Sequence, residues 1–497
     1  MSDIGGTPAA DRQYRRAQQR DGKVPLSAKI FQGIGALPDT YKNFAFNTFV
    51  LFYYNQVLGM PAVFASVAIM IALVIDAVTD PLVGSFSDSL QTKLGRRHPL
   101  MYAAALPLGI TLFLIFVPPA GLSHYGLFGW LLFFAVAVRI SMTLFQVPWN
   151  AMFAEFSDDY AERTQIVTFR YLCGWIGGTT FVFCTWTFIF PSSEAFTPGH
   201  LNPDGYVTFG LVLGIAVTLA ILLTTHLTRN QIPFLLQPQL TERFTLGKVL
   251  GDIRVAITNK DFLILFFGLF MMAILGGTNG ALELYVNTYF WGLLPEDLRW
   301  FTLTIFGSVT AFIIIPFLQA RYDKKHLLIT CMVFLLINGI GLICLRFADV
   351  LPRNGEFSLL VIIIGNEIVR AGAGTIVAIM FVSMVADTLD KQELETGRRQ
   401  EGVFSSAMTF AGKATSGVGI LIGGMILDYG LAFPRGIKPE EADPELIFSL
   451  GLFAGVIIPL FYLVPFWFVS RYGITREIHA GIQQRLVVRR REQASSD

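Results

Sequence analysis

Asp76 and Asp80 stand four residues apart inside an apolar run from about Val63 to Phe86. Helical spacing sets both carboxylates on one face. An aspartate turned toward hydrocarbon costs several kcal/mol or takes up a proton, so the pair is expected to line a wet cavity and to meet a cation. Pro81 adds to this chemistry. It has no N–H to donate to the Ala77 carbonyl, and so leaves that oxygen available beside the carboxylates. Two carboxylates with a bare carbonyl suit a small hard cation, and either acid can instead hold a proton. The bland alternative places one aspartate in an ion pair and the other in a polar packing contact.

Further polar stripes cross other apolar windows. Asp39, Asn43 and Asn47 follow i, i+4, i+8 spacing, although Asp39 and Lys42 also fit snorkelling charges at a span end. Arg139, Thr143, Gln146 and Asn150 share a face ahead of the acidic-basic stretch Glu155, Asp158, Asp159, Glu162 and Arg163. A four-turn stripe of this kind is expected to line a cavity. The charged stretch after it reads as gating or structural ion pairing together with Asp88, Arg96 and Arg97. Arg170 is a lone charge in its window, Asn279, Glu283 and Asn287 share another face, and Glu367 and Arg370 at i, i+3 are placed to neutralise each other. Lys413 is a single mid-span lysine that needs a partner, and the Asp76/Asp80 pair is the natural candidate. A lysine competing with a cation for one carboxylate pair would couple ion occupancy to conformation. The nearby Gly417, Gly419, Gly423 and Gly424 read as close helix packing. All six histidines fall at span ends or in loops, which argues against a histidine proton relay.

These residues need helices of membrane-spanning length to position them. The chain has 497 residues, of which 53% are hydrophobic and 15% charged, far below the quarter charged in a soluble protein. By composition it is an integral membrane protein, and it is expected to be all-α. Apolar windows recur at 36–58, 63–87, 99–117, 126–153, 163–190, 206–227, 261–291, 299–320, 326–346, 357–387, 401–430 and 446–470. Twelve spans therefore divide into two sets of six: a tail 1–32, spans over 33–227, a connector 228–260, spans over 261–470 and a tail 471–497. Lys and Arg concentrate on alternate connections, which puts both termini in the cytoplasm. The four cysteines show no CxxC spacing and read as packing residues. No P-loop, nucleophile elbow or HExxH pair appears, so an enzyme is not indicated and no cofactor is expected. The basic tail fits anchoring at anionic lipid better than nucleic-acid binding.

The halves echo each other. Gly84-x3-Asp88 followed by Gly95-Arg96-Arg97 has its counterpart in Ala320-Arg321-Tyr322-Asp323-Lys324-Lys325. This repeated basic turn resembles the major facilitator superfamily, which implies two six-helix bundles, a central cavity and rocking alternating access. Asp76-x3-Asp80-Pro81, Pro148-Trp149-x-Ala151-Met152-x2-Glu155, Val385-Ala386-Asp387-Thr388-Leu389-Asp390 and Thr396-Gly397-Arg398-Arg399-x-Glu401-Gly402, ahead of Lys413, resemble the glycoside-pentoside-hexuronide:cation symporter family. That resemblance implies a cation site at Asp76, Asp80 and Thr143, with Thr79 where the family pattern has asparagine. It also implies coupling or substrate roles for Arg170 and Lys413. The family's sugar-binding aspartate and tryptophan fall at Gln146 and Asn150, and its first-helix aspartate falls beside Asp39. The Asp76–Gly84 stretch, Lys413-x2-Ser416-Gly417 and Leu427-Asp428 also resemble the sodium-dependent lysophospholipid carriers of the wider family.

The expectation is a monomeric cation-coupled symporter of a bacterial inner membrane, driven by Na+ or H+. Its cargo is a sugar, glycoside or related organic solute. The alternative cargo is a lysophospholipid or other amphiphile, whose phosphate or carboxylate would meet Lys413 or Arg170.

Overall fold

A computed structural model describes residues 14–16, 22–157, 159–238, 260–396 and 401–496. Most of the expected connector, and the motif residues Gly397, Arg398 and Arg399, lie outside the described residues. The helices are α1 (Leu26–Ile34), α2 (Leu37–Phe44), α3 (Ala62–Ser89), α4 (His98–Ile115), α5 (His124–Glu155), α6 (Tyr160–Cys184), α7 (Pro203–Leu227), α8 (Lys260–Tyr285), α9 (Thr304–Arg321), α10 (Lys324–Phe347), α11 (Phe357–Thr396), α12 (Glu401–Met425), α13 (Pro444–Leu452), α14 (Leu463–Ser470) and α15 (Arg476–Ser496). Among the described residues ten helices are long and apolar enough to cross a membrane. The first predicted span differs from a plain helix: α2 continues through π turns at Ala45–Val50 and Tyr53–Val57. The eleventh window coincides with α12. The all-α expectation needs one small amendment, because Tyr14–Arg16 pairs antiparallel with Leu236–Pro238.

The surface pattern is that of a chain dissolved in lipid. Leu106, Phe133 and Phe317 are exposed, whereas Asp76, Arg96, Arg97, Arg139 and Glu155 are buried. Polar groups face inward because hydrocarbon offers them no partners.

Backbone packing divides the chain into two units. The first comprises Met1–Val50, Ile71–Phe190 and Asn202–Phe244, and the second Leu51–Met70, Pro191–Leu201 and Thr245–Asp497. In the first, α4 packs on α5 and α7, and α1 and α2 pack on α6 and α7. Phe49, fully buried, meets Trp186, Phe190, Tyr206 and Phe209 ring to ring, which locks the turn after α2 to α6 and α7.

In the second unit α8 packs on α12 and α14, α9 and α10 pack on α11, and α15 covers the end of α11. The α8–α12 approach depends on missing side chains, as the sequence pattern predicts. A β-carbon on Gly419 would lie 2.0 Å from the Ile274 carbonyl oxygen, and one on Gly277 2.3 Å from that of Ser416. Proline is tolerated inside α3, α5 and α9, at Pro81, Pro148 and Pro316. Each leaves one backbone carbonyl without its helical donor.

Candidate functional site

Asp76 and Asp80 occupy one face of α3, and Arg139 and Thr143 one face of α5, both by i, i+4 spacing. The two faces meet. The Thr143 hydroxyl, almost completely buried, lies 3.1 Å from Asp76 Oδ1 and 2.9 Å from Asp80 Oδ1. One hydroxyl carries one hydrogen, so it donates to one carboxylate at a time while its oxygen sits beside both. Arg139 Nη1 approaches the other Asp76 oxygen at 3.7 Å. Arg139 is thus a partner of the acidic pair. The Thr79 hydroxyl donates to the Asp76 backbone carbonyl at 3.2 Å, within its own helix.

A second pair extends this network. Lys42 Nζ lies 2.8 Å from Asp39 Oδ1, and the Asn43 amide donates to Asp39 Oδ2 at 3.1 Å. Lys42 is 3% exposed, which rules out snorkelling for it. It also lies within electrostatic range of Arg139 and Asp76. Asp39, Asp76 and Asp80 thus share one buried network with Lys42 and Arg139. Charges at this depth are tolerable only when paired and hydrogen-bonded.

Nearer the C-terminal end of α5, Arg170 Nη2 donates to Asn150 Oδ1, with the guanidinium 3.8 Å from the Trp149 ring centroid and 4.9 Å from that of Phe153. Trp149 is held by a reciprocal pair: its indole N–H donates to the Gln32 carbonyl and the Gln32 amide donates to the Trp149 carbonyl, both at 3.0 Å. An aromatic platform with an amide and a guanidinium beside it is a surface that can meet a polar or anionic solute. Gln146 lies half-buried one turn above Asn150.

The residues expected at a gate divide. Arg96 Nη2 and Arg97 Nη2 converge on Glu155 Oε1 at 2.6 and 2.9 Å, and both arginines also reach Asp88 Oδ1, at 3.5 and 2.8 Å. Arg163 is elsewhere: its Nε donates to the Ser157 carbonyl at 2.7 Å. Sequence reasoning missed Lys29. Its Nζ lies 3.2 Å from Glu162 Oε1, to which the Val24 N–H also donates, and this ties the N-terminal segment to α6. A lysine in a polar tail carries no intramembrane signal, so nothing in the pattern marked it.

In the second unit, Asn279, Glu283, Glu367 and Arg370 line a cavity of about 280 Å3 among α8, α10, α11 and the α13–α14 region. Arg370 pairs with Glu367 at 2.7 Å, as the i, i+3 spacing predicts, and the Asn279 amide donates to the Tyr462 hydroxyl at 3.3 Å. Lys413 sits half-buried on α12. Outside the spans, His200 is fully buried with Nε2 2.8 Å from the Thr288 hydroxyl, and burial pushes its pKa down to about 3.

With this geometry described, comparison with known proteins gives the lineage. The family described as MFS/sugar transport protein matches residues 31–476. The glucuronide carrier protein homolog of Escherichia coli K12 is 24% identical, over 88% of this chain and 91% of its own length. The sodium-dependent lysophosphatidylcholine symporter 1 of Xenopus tropicalis is 26% identical over 89% of each chain. Among solved structures, the xylose transporter XylE from E. coli superposes with a TM-score of 0.58 at 14% identity, covering 91% of this chain and 98% of its own, a likeness of fold.

Proposed function

Because the chain belongs to the MFS/sugar transport protein family, we propose that it is a symporter in which Asp76, Asp80 and Thr143 take up Na+, or H+ in its place, together with an organic solute. It is an integral membrane transporter, not an enzyme. The observation that carries the reading is the convergence of both carboxylates on one buried hydroxyl beside Arg139. A cation entering there finds hard oxygen donors on two helices, with the Ala77 carbonyl released by Pro81 close by. Its charge adds to those of Arg139 and Lys42 in neutralising the acids. Thr79 supports the site through the helix backbone.

The solute is a sugar or glycoside, met by Gln146, Asn150 and Arg170 in the first half, with Asp39 fixed behind them by Lys42. Asn279, Glu283 and Lys413 are the substrate or coupling residues of 261–470, and the Arg96/Arg97–Glu155–Asp88 cluster fastens the cytoplasmic ends of α3 and α5. The halves 33–227 and 261–470 work by alternating access, in a monomer of the bacterial inner membrane with both termini cytoplasmic. The lysophosphatidylcholine symporter, as similar in sequence as the sugar carriers, supports a second cargo class. There the Arg170 guanidinium meets a phosphate.

A thermal-shift screen of the purified protein, glycosides against lysophospholipids, with and without Na+, tests both readings. The proposal expects Na+-dependent stabilisation by glycosides. Stabilisation by lysophospholipids alone transfers the cargo to the second class, and stabilisation by either ligand irrespective of Na+ and pH overturns the coupling.

A further inference from the structure

The basic turn repeated in the two halves is satisfied differently in each. In the first half both arginines of the turn end on carboxylates, Glu155 and Asp88. In the second, Lys324 Nζ reaches Asp387 at 2.7 and 2.8 Å, the counterpart of the Glu155 contact. Lys325 instead donates to the Tyr472 carbonyl at 2.8 Å, and Arg476 to the Ala320 carbonyl at 3.2 Å. Among the described residues neither meets a carboxylate. Asp323, at the position matching Asp88, has only a 3.8 Å approach from His326 Nδ1.

These groups surround a cavity of about 270 Å3 formed where α9 ends, α10 begins and α15 crosses the end of α11. Three permanent cations, Lys324, Lys325 and Arg476, face two carboxylates, Asp323 and Asp387. His479 closes the far wall, its Nε2 3.4 Å from Asp387 and 3.1 Å from Asp390. The first turn of α15 also opens here, which adds backbone N–H groups to the positive side. A carbonyl accepts a hydrogen bond from a cation but does not cancel its charge, so Lys325 and Arg476 keep theirs at a cavity lined by two carboxylates, Asp387 being taken by Lys324 and the third nearby acid, Asp390, lying behind His479.

We propose that this cavity binds a phosphate group, held by Lys325 and Arg476. Its level favours a phospholipid headgroup as the source: Phe317 on the last turns of α9, Tyr322 after it and Ile478 on α15 are exposed, as lipid-facing side chains at a membrane boundary would be. Free phosphate offers the same chemistry from the aqueous side. A headgroup seated there joins α15 to the α9–α10 turn and steadies the cytoplasmic end of the second half.

The test is the thermal unfolding midpoint of the full-length protein in detergent, titrated separately with phosphatidylglycerol, phosphatidylcholine and inorganic phosphate to obtain apparent dissociation constants. Lys325→Gln/Arg476→Gln is compared with Lys325→Arg/Arg476→Lys, which keeps the charges, and with Arg435→Gln/Lys438→Gln, which removes two exposed charges from the α12–α13 loop. The expected result is saturable stabilisation of the wild type by phosphatidylglycerol, weakened about tenfold or more in the first variant and retained in the other two. Saturation by inorganic phosphate with the same variant pattern, and none by the lipid, assigns the site to a soluble phosphate. No saturable stabilisation of the wild type by either, or undiminished stabilisation in Lys325→Gln/Arg476→Gln, overturns the proposal.

Discussion

Thr143 is the residue whose loss says most about the acidic pair, because its hydroxyl sits beside both carboxylates. Thr143→Val keeps the shape of the side chain and removes that oxygen. The half-saturating Na+ concentration for transport is expected to rise roughly tenfold, corresponding to about 1.4 kcal/mol, and Thr143→Ser to restore it; unchanged cation dependence in Thr143→Val would show that the hydroxyl is not a ligand. Glu155 tests a different kind of burial. Glu155→Gln leaves Arg96 and Arg97 in a protein interior with one fewer carboxylate, so the melting temperature should fall by an amount equivalent to about 3 kcal/mol. The acidic pair was legible in the sequence because two aspartates four residues apart in an apolar run have few bland explanations. Arg139 as the partner of Asp76 was not, because a stripe identifies a face and not what the face touches.

The helices follow from hydropathy, and their close approaches follow from glycine. Gly419→Leu forces a side chain into the Ile274 backbone, where neither helix can yield cheaply. The α8–α12 contact should lose about 2 kcal/mol or more, read as a lower melting temperature and faster proteolysis, whereas Gly412→Ala, with open space at its β-carbon, should be nearly neutral. The loop helix Gly199–Leu201 carries the pH dependence. His200 keeps its neutral form down to about pH 3 in the folded state, while the unfolded chain takes up the proton near the ordinary value of 6.5. Its folded pKa is depressed, so stability is unaffected above pH 6.5 and falls by up to about 1.4 kcal/mol per pH unit as the pH drops from there toward 3. His200→Gln should flatten that part of the melting-temperature profile. The π turns after α2 and the burial of His200 had no sequence signal: their contacts are with side chains far along the chain, Phe49 on Tyr206 and Phe209 in one case and Thr288 on His200 in the other.

At the scale of the whole molecule, twelve apolar windows and alternating basic loops marked out a multi-pass transporter, and the match over residues 31–476 agrees with them. The cargo was not legible, since Gln146 and Asn150 replace the residues by which sugar carriers of the resembling family would be recognised, and amides serve many solutes. Coupling is the property that belongs to this scale, because it would join an ion at the proposed α3–α5 site to a solute crossing the bilayer. Concentrative uptake into liposomes under an inward Na+ gradient, wild type beside Asp80→Asn, measures it most directly. The account predicts gradient-driven accumulation of the screened solute by the wild type, and in Asp80→Asn no accumulation but continued solute exchange. Equal accumulation by the two proteins, or wild-type accumulation indifferent to both Na+ and pH gradients, would contradict it.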